Sequence, residues 1–392
     1  MAANRGAPGV DGVTIDAVAA DGVPAVKVFL EGIAVRLRDG SYRPAPLRRV
    51  WIPKPGKPGQ QRPLSIPTMA DRVVMTAAKL LLEPIWEADF LPVSFGFRPN
   101  RSTHDALEVV RVEANRGRDW ALDADVANCF GSFDHDALMV QVARRISDRR
   151  MLKLLRAWLK VGVLEAGVVT VSETGSPQGF PISPLMANVA LHALDEAWAT
   201  TYSRLGVLVR YCDDFVILCT SRTRAEQART QVTMILAGLG LKLHPDKTTI
   251  VHLAGGAGGF DFLGFHHHKV ESRKHPGRWY LQAWPSDRAM ASIRAKVRAK
   301  VRDLTQRRHV GRSINAVVGD LAPILRGWGA YFRTGNSGRK FAAVDRYVHE
   351  RMAIFGSKKQ GRRGRSWSSR FNSAWVRTLG VYRLSLDPPR NS

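Results

Sequence analysis

Val207-Leu208-Val209-Arg210-Tyr211-Cys212-Asp213-Asp214-Phe215-Val216-Ile217-Leu218 reads as two apolar strands joined by a tight acidic turn. β-Branched and aromatic residues on both arms favour extended chain, and the short polar break between them favours a hairpin. Acidic side chains are depleted in strands, and two adjacent carboxylates among such apolar neighbours need a compensating cation. Arg210 is the only basic residue beside them. A bound Mg²⁺ supplies the compensation naturally, because it takes one or two carboxylates together with water and substrate phosphates. Taken alone, the acidic pair also suits an ordinary hairpin turn.

A second acidic strand end lies upstream. Leu122-Asp123-Ala124-Asp125-Val126 is apolar with Asp at alternate positions, so the two carboxylates share one face. Asp125 would meet the hairpin tip if the two strands pair antiparallel. Three carboxylates from two strands would then hold two metals about 4 Å apart, one activating a 3′-hydroxyl and both clamping a transferring phosphoryl group. Spacing alone leaves a strand-end turn residue as the other reading of Asp125.

The rest of the chain alternates helices and strands irregularly, which predicts an α+β class. Val50-Trp51-Ile52 and Arg62-Pro63-Leu64 read as the arms of a hairpin around a basic turn. Helices are expected from Asp71 to Glu83, ending at Pro84, and after Ser102. Others are expected over Asp136–Ile146, Met151–Val161, Pro184–Trp198 and Arg224–Leu239. Phe260–His266 is expected as one short strand, and His266-His267-His268 as surface rather than a metal site. Beyond Ser286, Ile293, Val297, Val301 and Leu304 form one stripe of a helix whose outer face is basic.

The 392 residues suit roughly two to three domains, and 45% hydrophobic content is enough for real cores. Lys and Arg number 59 against 34 Asp and Glu, a net charge of +25. Such an excess repels itself unless a polyanion neutralises it, and nucleic acid is the usual polyanion. The three cysteines, Cys129, Cys212 and Cys219, form no Cys-x-x-Cys pair, so no disulfide framework or cysteine zinc site is indicated. No apolar run is long enough for a membrane span, and the start has neither signal peptide nor transit peptide character. The expected location is the bacterial cytoplasm, nucleoid-associated, with no membrane partner.

The order of motifs resembles one family. Tyr211-Cys212-Asp213-Asp214 is similar to the Tyr-x-Asp-Asp signature of reverse transcriptases. Arg62-Pro63-Leu64-Ser65-Ile66-Pro67, Ser94-Phe95-Gly96-Phe97-Arg98-Pro99 and Ser132-Phe133-Asp134-His135 resemble successive segments of group II intron-encoded enzymes. So do Ser176-Pro177-Gln178-Gly179, Leu243-His244-Pro245-Asp246-Lys247-Thr248 and Phe262-Leu263-Gly264-Phe265. Leu325-Arg326-Gly327-Trp328-Gly329-Ala330-Tyr331-Phe332-Arg333 resembles the maturase-specific, or X, region.

The resemblance implies a right-hand polymerase fold, with a fingers-palm antiparallel sheet and a helical thumb. It implies residues 1–120 as N-terminal segment and fingers and 121–275 as palm, the fingers-palm domain spanning about 45–275. Residues 286–384 would be the thumb, or maturase-specific domain, and 385–392 a tail. The implied activity is RNA-directed DNA synthesis with two Mg²⁺ and dNTPs. The implied partners are an RNA template, a DNA primer or target, and an intron RNA whose splicing and mobility the protein assists.

Residue by residue, Asp125, Asp213 and Asp214 would be the catalytic metal carboxylates. Lys54 and Arg62 would hold the triphosphate, Phe130 would block a 2′-hydroxyl, Gln178 would sit near the template–nucleotide pair, and Lys247 near the leaving pyrophosphate. Arg294, Arg298, Arg326, Arg333, Lys358 and Arg362 would bind RNA. Trp328, Tyr331 and Phe332 suit thumb core better than base stacking.

Departures from the family pattern are also legible. Phe180 replaces the small residue that usually follows Gln-Gly, and its ring would crowd nucleotide or template. The helical extension that precedes the first motif in relatives is not seen, and nothing after Leu384 resembles an HNH nuclease module. Two alternatives therefore stand beside the main reading: a splicing-only RNA-binding protein with an inactive polymerase site, and an intron-independent enzyme of phage defence.

Overall fold

A computed structural model describes residues 6–53, 59–165, 168–170, 174–175, 179–304, 311–360 and 371–386. The chain divides into two compact units, Met1–His252 and Leu253–Ser392.

In the first unit, α1 (Ile15–Ala19) and α2 (Gly22–Arg38) lead to a hairpin of β1 (Leu47–Pro53) and β2 (Gln61–Ile66). Next comes α3 (Met69–Glu87), where the Thr68 hydroxyl accepts from the Asp71 backbone N–H at the N-terminus. It runs past Pro84, contrary to the sequence expectation. A proline this late forfeits one backbone hydrogen bond, whereas continuing keeps Trp86 buried in the core. The helix α4 (Thr103–Asn115) opens on a reciprocal capping box between Ser102 and Asp105.

Then follow β3 (Trp120–Asp125), α5 (Cys129–Ser132), α6 (His135–Ala143), α7 (Arg149–Leu159), β4 (Val163–Glu165) and β5 (Val168–Thr170). The unit closes with α8 (Ser183–Ala197), β6 (Val207–Tyr211), β7 (Asp214–Cys219), α9 (Arg222–Ala237) and β8 (Thr249–His252).

These strands form two sheets rather than one. The order β2-β1-β4-β5 contains a parallel pair, β1 with β4, while β6-β7-β3-β8 is antiparallel throughout. The second sheet carries the acidic strands. Its apolar side chains, including Leu122, Leu208 and Ile217, join a core with Leu191 of α8 and Val232 of α9. That packing explains why α8 is apolar on nearly every side. Phe180 belongs to the same core and is buried. Its ring therefore packs inside this unit's core rather than standing exposed.

The second unit begins with a sheet ordered β11-β10-β9, built from β9 (Gly259–Phe262), β10 (Phe265–Glu271) and β11 (Trp279–Pro285). Helices α10 (Asp287–Leu304), α11 (Ile314–Phe332), α12 (Gly338–Lys359) and α13 (Ser373–Thr378) follow. Ile293, Val297 and Val301 of α10 are buried as the stripe predicts. No helix among the described residues is long and apolar enough to cross a membrane.

The histidine triplet sits on β10 and alternates. His266 and His268 are partly exposed, but His267 is only 1% exposed and stacks on Phe260 at 5.0 Å. The surface reading therefore fails at His267, because a strand sends successive side chains to opposite faces. Burial pushes the His267 imidazole down to about 3. An unfolded chain takes a proton near pH 6.5 and the folded chain does not, so stability is full above that pH and is lost as pH falls toward 3. At pH 5 the loss is about 2 kcal/mol. His267→Leu is expected to abolish this loss. Urea midpoints at pH 7.5 and pH 5 check it, and an equal pH-dependence in the variant would disprove the assignment.

Candidate active site

Strands β3 and β7 pair antiparallel with Asp125 opposite Asp214. The β6–β7 hairpin closes with Tyr211 opposite Asp214, so Cys212 and Asp213 make the turn. The two acidic signals of the sequence thus meet at one end of one sheet.

The turn is strained and heavily braced. Cys212 is left-handed, with φ at +60°, a conformation that costs a non-glycine residue roughly 1 kcal/mol. The Val126 N–H donates to the Asp213 carbonyl at 3.2 Å. The Arg210 N–H donates to the Val93 carbonyl at 2.8 Å, and the Arg210 carbonyl accepts from the Phe95 N–H at 2.9 Å. Gly96 lies flat against the turn, where a Cβ would stand 2.5 Å from the Cys212 nitrogen. This accounts for the glycine between two aromatics in the Ser94–Pro99 motif.

Arg210 does not neutralise the acidic pair. Its side chain is 0% exposed, and its Nε and Nη2 donate to the two Asp195 oxygens at 2.8 and 2.5 Å. Nη1 donates to Asn188 Oδ1 at 3.1 Å and to the Cys212 carbonyl at 3.0 Å, and Nη2 donates to Ser94 Oγ at 2.8 Å. Asn188 Nδ2 then donates to the Gly96 carbonyl at 2.7 Å. One buried guanidinium therefore ties β6, α8 and the Ser94–Gly96 segment to the acidic turn.

The cation that does meet the carboxylates is Lys247, which forms an ion pair with Asp125 Oδ2. Its loop is stitched to the β3 end: the His244 N–H donates to the Asp125 carbonyl and the Ala127 N–H to the Lys242 carbonyl, both at 2.8 Å.

Burial, then repulsion from Asp123, Asp125 and Asp213, holds the Asp214 carboxyl well above the usual range, against the pull of Lys247. Asp213 is also raised, by burial first and then by Asp125. Asp123, read from sequence only for its spacing, thus adds a further acid to the cluster. Among the described residues, no group of three or more His, Cys, Asp or Glu side chains is arranged to hold a metal ion by itself. The donor set nevertheless suits divalent ions: among the described residues the acids here outnumber the Lys247 ammonium, and Mg²⁺ completes its shell from water and substrate phosphates.

The other sequence candidates fall as follows. Phe130, on α5, is half-buried against the core and meets Phe133 edge-on at 6.5 Å. Arg62 is exposed on β2, opposite Ile52. Lys54, Gln178 and Arg362 lie outside the described residues. Arg294 and Arg298 are exposed on α10, Arg326 on α11 and Lys358 on α12. Arg326 lies over the Tyr382 ring at 5.5 Å. Arg333 is half-buried, and its Nη2 donates to Tyr382 Oη and the Leu384 carbonyl at 3.4 and 3.2 Å. Trp328, Tyr331 and Phe332 pack with one another, and Phe332 also meets Phe265 at 4.7 Å, as core rings do.

Residues 52–267 match the family described as reverse transcriptase (RNA-dependent DNA polymerase), and residues 294–375 match the group II intron maturase-specific domain. Protein YkfC of Escherichia coli is 35% identical over 307 residues, 69% of this chain and 77% of that protein. Group II intron-encoded protein LtrA of Lactococcus lactis subsp. cremoris is 40% identical over 177 residues, 45% of this chain and 29% of that protein. The match thus spans less than a third of LtrA. A solved telomerase structure from Candida albicans aligns with a TM-score of 0.48 at 12% identity, over 93% of this chain and 68% of that one.

Proposed function

The chain belongs to the reverse transcriptases, RNA-directed DNA polymerases of the kind that group II introns encode, and on that premise we propose that it extends a primer at Asp125, Asp213 and Asp214. The observation that carries this reading is the register of β3 on β7, which sets Asp125 opposite Asp214 at the tip of the hairpin. Reverse transcriptases use divalent ions, and Mg²⁺ is proposed here as the ion, held by these three carboxylates. When bound, it would activate the attacking 3′-hydroxyl and neutralise charge on the transferring phosphoryl group.

The remaining residues do their own work around that centre. Lys247 stands beside Asp125 and is proposed to meet the leaving pyrophosphate. Arg62, with Lys54, offers fixed positive charge to the triphosphate, and Gln178 is proposed to steady the template–nucleotide pair. Phe130 is proposed to close the space a 2′-hydroxyl would need. Phe130→Ala is therefore expected to raise NTP over dNTP incorporation by about tenfold or more, a barrier change of about 1.4 kcal/mol. Single-nucleotide incorporation with matched NTP and dNTP checks it, and an unchanged ratio removes the steric role.

The maturase-specific match implies RNA binding. We propose intron RNA as the ligand, contacted by Arg294, Arg298, Arg326 and Lys358, with assistance to splicing and mobility as its purpose. In the domain scheme proposed, residues 286–384 are the thumb. Primer extension by the purified chain on an RNA template, with dNTPs and Mg²⁺, tests the function. Product is expected, and its absence from protein that still binds RNA would favour the splicing-only reading.

A further inference from the structure

The β9–β11 sheet has two faces of different character. Phe265, His267, Lys269 and Leu281 are buried on one. The register sets His266 opposite Trp284, His268 opposite Gln282 and Val270 opposite Tyr280, and these six form the other face. Its side chains are partly exposed, and Tyr280 is 42% exposed.

Three of the rings on that face, His266, His268 and Trp284, form a connected group. His266 and His268 stand parallel at 6.1 Å, and Trp284 lies 5.3 Å from His266 and 6.1 Å from His268. His266 Nδ1 is held by Asp261 Oδ1 at 2.7 Å, which fixes its ring on the sheet. A row of partly wet rings on an exposed sheet gives little to the unit's own core.

Beyond Tyr280 the same two strands close in a basic tip. Arg273, Lys274 and Arg278 are exposed there. The tip is ordered by its own bonds: the Ser272 N–H donates to the Arg278 carbonyl at 2.8 Å, and the Gly277 N–H donates to Glu271 Oε1 at 2.7 Å. Glu271, the acid nearest the tip, is therefore engaged by backbone. Exposed cations on an ordered turn thus lie at the end of the two strands that carry the aromatic face.

We propose that this face binds an unpaired RNA strand, with bases stacked along Tyr280, His268 and Trp284 and phosphates drawn by Arg273, Lys274 and Arg278. Charge complementarity selects a polyanion, and the rings select unpaired bases, since a duplex buries its base faces within its own stack. The choice of RNA over another polyanion rests on the function proposed above. Sheet-borne aromatics stacking two or three bases is an established way to hold single-stranded RNA.

The test uses the full chain with a short 5-iodouridine RNA, photocrosslinked and mapped by mass spectrometry. Crosslinks are expected on Tyr280 or Trp284. The triple variant Arg273→Glu, Lys274→Glu, Arg278→Glu changes only exposed tip residues and is expected to lose these crosslinks at least tenfold. The salt slope of RNA binding should fall by about 2, from three phosphate contacts on a single strand. Tyr280→Ala should lower the crosslinks without changing that slope.

Three outcomes would overturn the proposal: no crosslink on β10 or β11, crosslinks that survive the triple variant, or crosslinks with an iodouridine DNA strand and not with RNA. Primer extension is measured on the same preparations. Extension without these crosslinks would reject the sheet site alone. Absence of extension would count against the polymerase reading, whatever the crosslinks show.

Discussion

Asp213→Ala is expected to abolish primer extension on an RNA template while leaving RNA affinity within about twofold. Removing a carboxylate proposed to hold the ions should lose several kcal/mol of charge stabilisation at the reacting phosphoryl group, a rate drop of roughly a thousandfold or more. The fold should not suffer. Burial and the nearby Asp125 hold the Asp213 carboxyl above its ordinary range, so near neutral pH its ionised form is less favourable in the folded chain than in the unfolded one. Deleting it relieves that cost, and the variant should melt at the same temperature as the parent or higher. Lost activity with retained or increased stability separates a catalytic role from a structural one. Primer-extension rates and thermal melts on one preparation check both halves, and parental extension by the variant would refute the assignment.

Arg210→Met is the second large effect, with the opposite signature. The guanidinium is fully buried and satisfies Asp195, Asn188, Ser94 and the Cys212 carbonyl together. Removing it leaves the Asp195 carboxylate buried without its partner, which costs about 3–5 kcal/mol. Whole domains are stable by only about 5–15 kcal/mol, so the first unit should lose much of its margin. Arg210→Lys should recover only part of this, because an ammonium cannot present a planar fork to four acceptors. The double variant Arg210→Met, Asp195→Leu removes the stranded charge and should regain stability. It should stay slow in extension, because the carbonyl of the left-handed Cys212 then loses its guanidinium donor. Urea denaturation and extension rates on the three variants decide it. A double variant as active as the parent would show that the buried pair does not hold the turn.

Much of this site could be read before any coordinates. The acidic tip of the hairpin and the acidic end of the 122–126 strand are local signals, and one antiparallel pairing suffices to join them. The buried stripe of α10 and the cap at Ser102 were equally local. What escaped depended on distant partners. Arg210 stands in an apolar strand, a sign of burial, but its side-chain partners Asp195, Asn188 and Ser94 are 15 to 116 positions away in the chain. Lys247 meets Asp125 only because the loop before β8 folds back on the end of β3. The continuation of α3 through Pro84 is a case of core packing at Trp86 overriding a local breaker. Strand β11 went unread although Trp279, Tyr280 and Trp284 favour extended chain, and so the alternation that buries His267 was missed as well.

The central claim is that acids from two strands converge on shared divalent ions, and iron-directed cleavage tests it most directly. With Fe²⁺ in place of Mg²⁺, ascorbate and peroxide generate radicals that cut the main chain beside the bound ion. Cuts are expected near Asp125 and near Asp213-Asp214 together, suppressed by excess Mg²⁺ and absent in Asp213→Ala. Cuts confined to one of these strands, or found only elsewhere in the chain, would contradict it.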